Sequence, residues 1–232
     1  KYEICITWKN LVSWNQGIAV RVLKIAVPNG VENGLFALGR VLVTSIVALF
    51  GTTQIAANGV AGSIDQIASI ATNAMNLAII PVVGQCIGAG EYDQATYYTK
   101  KFMKITYVLI GGMGGIVIVI LPFILGFYEL SEETCRISVL LITLHNVLAF
   151  LLHPTSFVLA NSLRAAGDVK ITMYIGIGSM VVFRLGTAVL FGIIFRMGVA
   201  GVWAAMGMDW FARTIAFSIR YKSGKWRCVK VI

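Results

Sequence analysis

The sequence predicts an all-α protein, a polytopic transmembrane helix bundle with six spans. Three observations lead there. Of its 232 residues, 58% are hydrophobic and 12% are charged, whereas a soluble domain is about half apolar and about a quarter charged. The apolar residues come in runs of roughly 20, the length needed to cross a hydrocarbon core about 30 Å thick. Finally, the basic residues sit at the ends of those runs and favour one side of the six-span arrangement.

The spans are expected at 25–50, 55–83, 102–127, 137–160, 171–195 and 199–219. Before them, 1–24 reads as a cytoplasmic lead-in. Its stretch from Trp8 to Lys24 mixes Trp, Leu and Val with basic residues, which fits either an interfacial amphipathic helix or an ordered loop leading into the first span. After them, 220–232 reads as a solvated basic tail beside anionic lipid headgroups. The second span is interrupted by Asn58, Asp65, Gln66, Asn73 and Asn76, a stripe that must face protein or water because lipid cannot satisfy it. Pro28, Pro81, Pro122 and Pro154 each remove a backbone donor inside or near a span.

The charge asymmetry sets orientation. Lys1, Lys9, Arg21 and Lys24, then Lys100, Lys101 and Lys104, then Arg164 and Lys170, then the basic tail, all fall on one side. The other side carries Arg136 and Arg196. Both termini are therefore expected in the cytoplasm, in a multi-pass cytoplasmic (inner) membrane protein. The net charge of +9 does not indicate nucleic acid, because the basic residues form no single patch. Cys5, Cys86, Cys135 and Cys228 lack metal-ligand or redox spacing. No nucleophile–histidine–acid set, metal cluster or nucleotide loop is present, so neither an enzyme nor a resident cofactor is expected.

Ionisable residues inside the spans carry the chemistry, since each needs a partner or a water path. Glu32 lies four residues after Pro28, between Asn29 and Asn33, where loosened backbone and a carboxylate can hold a proton or small cation. The bland alternative is an ion pair with Arg40. Asp65 and Asn58 lie on the polar stripe and are expected at the same cavity. His153 precedes Pro154 and can change charge near neutral pH. His145 is a weaker candidate. Asp209 and Arg213, at i and i+4, read as a structural pair. Met75, Met113, Met173 and Phe36 are candidate wall residues.

Two segments carry a family resemblance. One is Pro81-Val-Val-Gly84-Gln85-Cys-Ile-Gly88-Ala-Gly90-Glu91-Tyr-Asp93-Gln-Ala95, after the second span; the other is Ser162-Leu-Arg164-Ala-Ala-Gly167-Asp168, after the fourth. Both resemble cytoplasmic loops of the multidrug and toxic compound extrusion (MATE) family. Leu23-Lys-Ile-Ala-Val-Pro28-Asn-Gly30 is similar to the entry of that family's seventh helix, and Gly201-Val-Trp203 to the start of its twelfth. The loop residues Gly84, Gln85, Gly88, Gly90, Arg164, Gly167 and Asp168 are expected to be structural, capping helices or pairing across the surface.

The resemblance implies one lobe, helices seven to twelve, of a twelve-helix transporter, with an N-terminal six-helix lobe as its partner. It implies export of drugs or toxic compounds, often cationic, by alternating access driven by a sodium or proton gradient. The chain departs from the family's sodium-coupled members in two places. Their acidic residue on the seventh helix falls near Phe36 here, and their tenth-helix aspartate near His153. Glu32 and His153 are therefore candidates by location. The other readings are a lipid-linked oligosaccharide flippase of the same superfamily, which would want a more cationic cavity, and a non-transporting membrane scaffold.

Overall fold

The computed structural model describes residues 16–229. Among them every regular element is helical. Helix α1 (Gln16–Ala48) runs through Pro28 without a break and without a boundary at residue 25. The Trp8 end of the lead-in lies outside the described residues. Next come α2 (Thr52–Ala68), α3 (Ile70–Gly88), α4 (Tyr92–Gly126) and α5 (Glu132–His153). A π-helical turn, Pro154–Val158, leads into α6 (Leu159–Ala165). Then α7 (Val169–Ser179) passes through a π-helical turn, Met180–Leu185, the short α8 (Gly186–Ala188) and a second π stretch, Val189–Ile194. Helix α9 (Gly198–Lys222) and a 3₁₀ turn, Lys225–Cys228, follow.

Five segments are long and apolar enough to cross a membrane: Val22–Ala48, Ile70–Gly88, Tyr92–Gly126, Glu132–Ala165 and Val169–Ile194. The sixth expected span, α9, is less apolar because it carries Asp209 and Arg213. Its place in the bundle explains why that is tolerated. It packs against α5, α7, α8 and all three π stretches, and Asp209 and Arg213 are buried. Its polar groups meet protein rather than lipid. The outward faces are apolar, with Val108, Val119 and Phe123 on α4 largely exposed, as a lipid-facing surface requires.

Three sequence expectations are corrected. The second span is not one helix: it breaks at Ser69, whose hydroxyl donates to Asp65 Oδ1 at 3.3 Å while its carbonyl accepts from Thr72 Oγ1 at 2.9 Å. Side-chain bonds of this kind compete with the helix ladder. The two loop motifs are mostly helix. Gly84, Gln85 and Gly88 lie in the last turns of α3, and Arg164 in the last turn of α6. Only Gly90 (φ +79) and Gly167 (φ +85) make the turns, in the left-handed conformation that favours glycine. The tail is not fully solvated either. Trp226 is buried, its ring stacked on Tyr221 with centroids 5.2 Å apart, and its Nε1 donates to the Tyr221 carbonyl at 3.0 Å.

Two apolar clusters hold the ends of the bundle. One gathers Ala61, Val117, Leu121, Leu141, Val199 and Trp203; the other gathers Ile79, Val83, Val158, Leu163, Phe217 and Trp226. Between them a small apolar cluster of Ile110, Ala149 and Trp210 sits beside polar side chains.

Candidate functional site

A cavity of about 520 Å³ lies in that middle layer. It is lined from α1 (Glu32, Asn33, Phe36, Arg40), from the α2–α3 break (Asp65, Gln66, Ser69, Asn73), and from the fourth span (His153, Ser156, Phe157, Ala160, Arg164). Met180 and Arg184 come from the π turn after α7, and Asp209, Trp210, Arg213 and Phe217 from α9. Three helix irregularities thus converge on one space: Ser69, the Pro154 turn and the Met180–Leu185 turn. Breaks of this kind are tolerated at membrane depth where they are buried or line a cavity, and π turns are frequent at functional sites. Pro154 explains one of them, since it cannot supply the N–H of a regular α-helical bond.

Most of the charged residues here are paired, Glu32 and Asp65 with partners on other helices. Glu32, buried on α1, accepts from Arg164 Nη2, so its partner is Arg164 and not Arg40. Arg164 Nη1 also donates to Asn161 Oδ1 at 2.7 Å. Asp65 Oδ1 stands 2.7 Å from His145 Nε2. Asp209 and Arg213 form the expected pair at 2.9 Å, but they also line the cavity. Arg213 Nε donates to Ser179 Oγ at 2.8 Å, and its guanidinium lies 4.4 Å from the centre of the Phe36 ring. Arg184 reaches Asp209 at 3.8 Å. The His153 ring stacks on Phe157 with centroids 4.4 Å apart, and Trp210 stands edge-on to it.

Several buried polar atoms in and beside this space have no hydrogen-bond partner among the described residues: Glu32 Oε2, His153 Nδ1, His145 Nδ1, Arg164 Nε and Arg184 Nε. Buried polar groups are normally satisfied. So many orphans around one cavity mark it as a place where water, an ion or a ligand completes the bonding.

The structure therefore brings Glu32, Asn33, Asp65 and His153 to one cavity. Asn33 Nδ2 donates to the Asn29 carbonyl at 2.9 Å. Asn58 is elsewhere: its Oδ1 accepts from Trp203 Nε1 at 2.9 Å and ties α2 to α9. Phe36 is on the wall, and the methionine there is Met180, with Met113 beside a smaller void next to Asp65 and His145. Arg164 is the residue that sequence reasoning misplaced. Its motif marks a helix end, and nothing in the local pattern reveals that the side chain turns back into the bundle. Among the described residues no group of three His, Cys, Asp or Glu is placed to hold a metal ion.

A comparison with protein-family profiles matches residues 28–190 to MatE. The chain belongs to the MatE family. Members of the family are transporters and not enzymes. The uncharacterized transporter YisQ of Bacillus subtilis is 28% identical over 212 residues, which is 89% of this chain and 45% of that protein. The probable multidrug resistance protein NorM of Thermotoga maritima is 23% identical over 218 residues, covering 94% of this chain and 47% of its own length. In fold, a MOP superfamily transporter from Pyrococcus furiosus superposes with a TM-score of 0.83 at 16% identity, over 97% of this chain and 50% of its own. The chain spans about half the length of the curated relatives it matches. Within the MatE fold, the chain corresponds to one lobe, and the cavity lies inside that lobe.

Proposed function

We propose that the complete protein, of which this chain forms about half, exports amphipathic organic compounds across the cytoplasmic membrane by cation-coupled alternating access. The cavity carries this reading. A space of about 520 Å³ fits a small organic molecule, since such sites run from about 300 to about 1,000 Å³. Phe36, Phe157, Trp210 and Met180 offer an apolar body its contacts, and titratable groups stand beside them. Drugs of this kind are the expected cargo, in keeping with the name of the Thermotoga relative, a probable multidrug resistance protein.

Coupling by sodium or a proton would act through Glu32, Asp65 and His153. Glu32 Oε2 and His153 Nδ1 are buried with no partner, so a bound cation or a moving proton has somewhere to go. Alternating access would rock this lobe against its N-terminal partner lobe, within a lipid bilayer and with both termini of this chain in the cytoplasm. The test is gradient-driven transport by the full-length protein in proteoliposomes. If Glu32→Gln and Asp65→Asn both leave transport and its ion dependence intact, the coupling assignment is wrong. A lipid-linked cargo is the second reading, favoured by the four arginines on the cavity wall; flipping of a labelled lipid carrier by the same vesicles separates the two.

A further inference from the structure

The cavity wall carries more guanidinium groups than carboxylates. Arg40, Arg164, Arg184 and Arg213 face Glu32, Asp65 and Asp209. Two of the arginines are properly matched, Arg164 by Glu32 and Arg213 by Asp209. The remaining carboxylate, Asp65, is taken by His145. That leaves two arginines short. Arg184 reaches only Asp209, which Arg213 already holds, at 3.8 Å, and its Nε is buried with no hydrogen-bond partner. Arg40 has no ion pair among the described residues.

These two are neighbours in the fold. The Met180 side chain packs directly on Gly39, so the π turn and α1 touch there. Arg40 follows Gly39 by one residue and Arg184 follows Met180 by four. A guanidinium stays charged at any physiological pH, so Arg184 cannot relieve the burial of its Nε by losing a proton, and Arg40 stays charged on the open side of the cavity. At membrane depth each needs an anion. The planar fork of arginine suits carboxylate, sulfonate and phosphate in particular.

We propose that the cargo bound in this cavity carries an anionic group of that kind on an apolar or aromatic body, received by Arg184 and Arg40 while Phe157, Trp210 and Met180 contact the body. This rests on the transporter reading and reverses the cargo charge that the family resemblance implies. The anionic group can belong to a free organic acid or to a lipid headgroup.

The test uses the full-length transporter, purified and reconstituted in phosphatidylcholine vesicles, with two probes that share one ring system: 2-naphthoate and 2-naphthylmethylammonium. Naphthoate should bind at least about 10-fold more tightly. Arg184→Gln and Arg40→Gln should each weaken naphthoate about 10-fold and leave the ammonium probe unchanged, because truncating one side of a buried charged contact acts on that contact. Arg184→Lys should recover only part of the loss, since it restores charge without the fork. Equal affinity for the two probes, or preference for the ammonium, overturns the proposal. If Arg184→Gln does not fold, Arg40→Gln decides alone, since Arg40 is exposed in this chain and its truncation leaves no hole. Competition by phosphatidylglycerol mixed into the same vesicles, with movement of labelled phosphatidylglycerol, assigns the anion to a lipid; competition only by soluble acids assigns it to a free solute. Binding is read without a gradient. Naphthoate that binds but is never exported sinks the exporter reading and leaves the anion site standing.

Discussion

Asp65 Oδ1 lies 2.7 Å from His145 Nε2, joining the break in the second span to the middle of α5. The imidazole is held by more than this contact. Trp203 and Trp210 stand edge-on to it, at centroid distances of 5.6 and 5.3 Å, and its Nδ1 is buried without a partner. Asp65 is thus a carboxylate fixed by an imidazole, and it also lines the cavity. Asp65→Asn keeps a hydrogen-bonding side chain there but removes the charge. The bundle should still fold, while gradient-driven transport by the full-length protein falls by about 10-fold or more, a change of about 1.4 kcal/mol in the barrier. Thermal melting and proteoliposome uptake, measured on the same preparation, check both halves of this.

The Glu32–Arg164 pair gives a prediction about stability. Glu32 is almost fully buried, with 4% of its side chain exposed. Removing one partner of such a pair strands the other and costs about 3–5 kcal/mol. Glu32→Gln should therefore lower the melting temperature clearly. The double variant Glu32→Gln with Arg164→Gln should recover a large part of the loss, because neither side chain then carries an uncompensated charge. A double variant no more stable than the single one would show that the pair does not act as a unit.

These two contacts also show what was legible in the sequence. Glu32, Asp65 and His153 could be picked out because an ionisable residue inside an apolar run is unusual, and hydropathy needs only local counting. Their partners could not. Arg164 meets Glu32 across 132 positions of chain, and no periodicity encodes which helix stands opposite. The turn at Pro154 was partly legible, since proline removes a donor. The one at Met180–Leu185 has no proline or glycine in it, so nothing local marked it, and the cavity position of Met180 went unread. Helix α9 was found as a span, but its central place, which makes Asp209 and Arg213 tolerable, is a property of packing.

Glycine at the crossing of α9 with the last π stretch is a third test. A Cβ on Gly201 would stand 2.7 Å from the Phe191 carbonyl carbon and 2.8 Å from the Gly192 nitrogen. These are backbone atoms, so no side chain can swing aside. Gly201→Ala should cost about 1–3 kcal/mol, as overpacking does, and lower the melting temperature. Gly112 on α4 has nothing within 4 Å of the same position. Gly112→Ala should be neutral or stabilising by up to about 1 kcal/mol, the difference in helix propensity. Equal effects at the two sites would mean that the close crossing is not a constraint.

At the end of the bundle nearest the tail, Asp168 accepts from Arg220 Nε at 2.6 Å and from Arg220 Nη2 at 3.1 Å. The carboxylate stands at the start of α7 without capping it, and instead ties that turn to the last turns of α9. Its hydrogen bonds raise the Arg220 pKa above the usual guanidinium value. For a cation whose folded pKa is raised, the stabilisation is complete below the unfolded pKa and fades only as pH climbs through the folded one. The stability gap between wild type and Asp168→Asn should therefore stay constant from neutral pH up to about pH 11, which is still below the ordinary guanidinium pKa. The gap itself should be about 1.5–3 kcal/mol, as for hydrogen bonds to charged groups. Paired melting curves in buffers across that range check it. A gap that shrinks steadily between neutral and mildly alkaline pH would mean that the stabilisation comes from some group other than the Arg220 guanidinium.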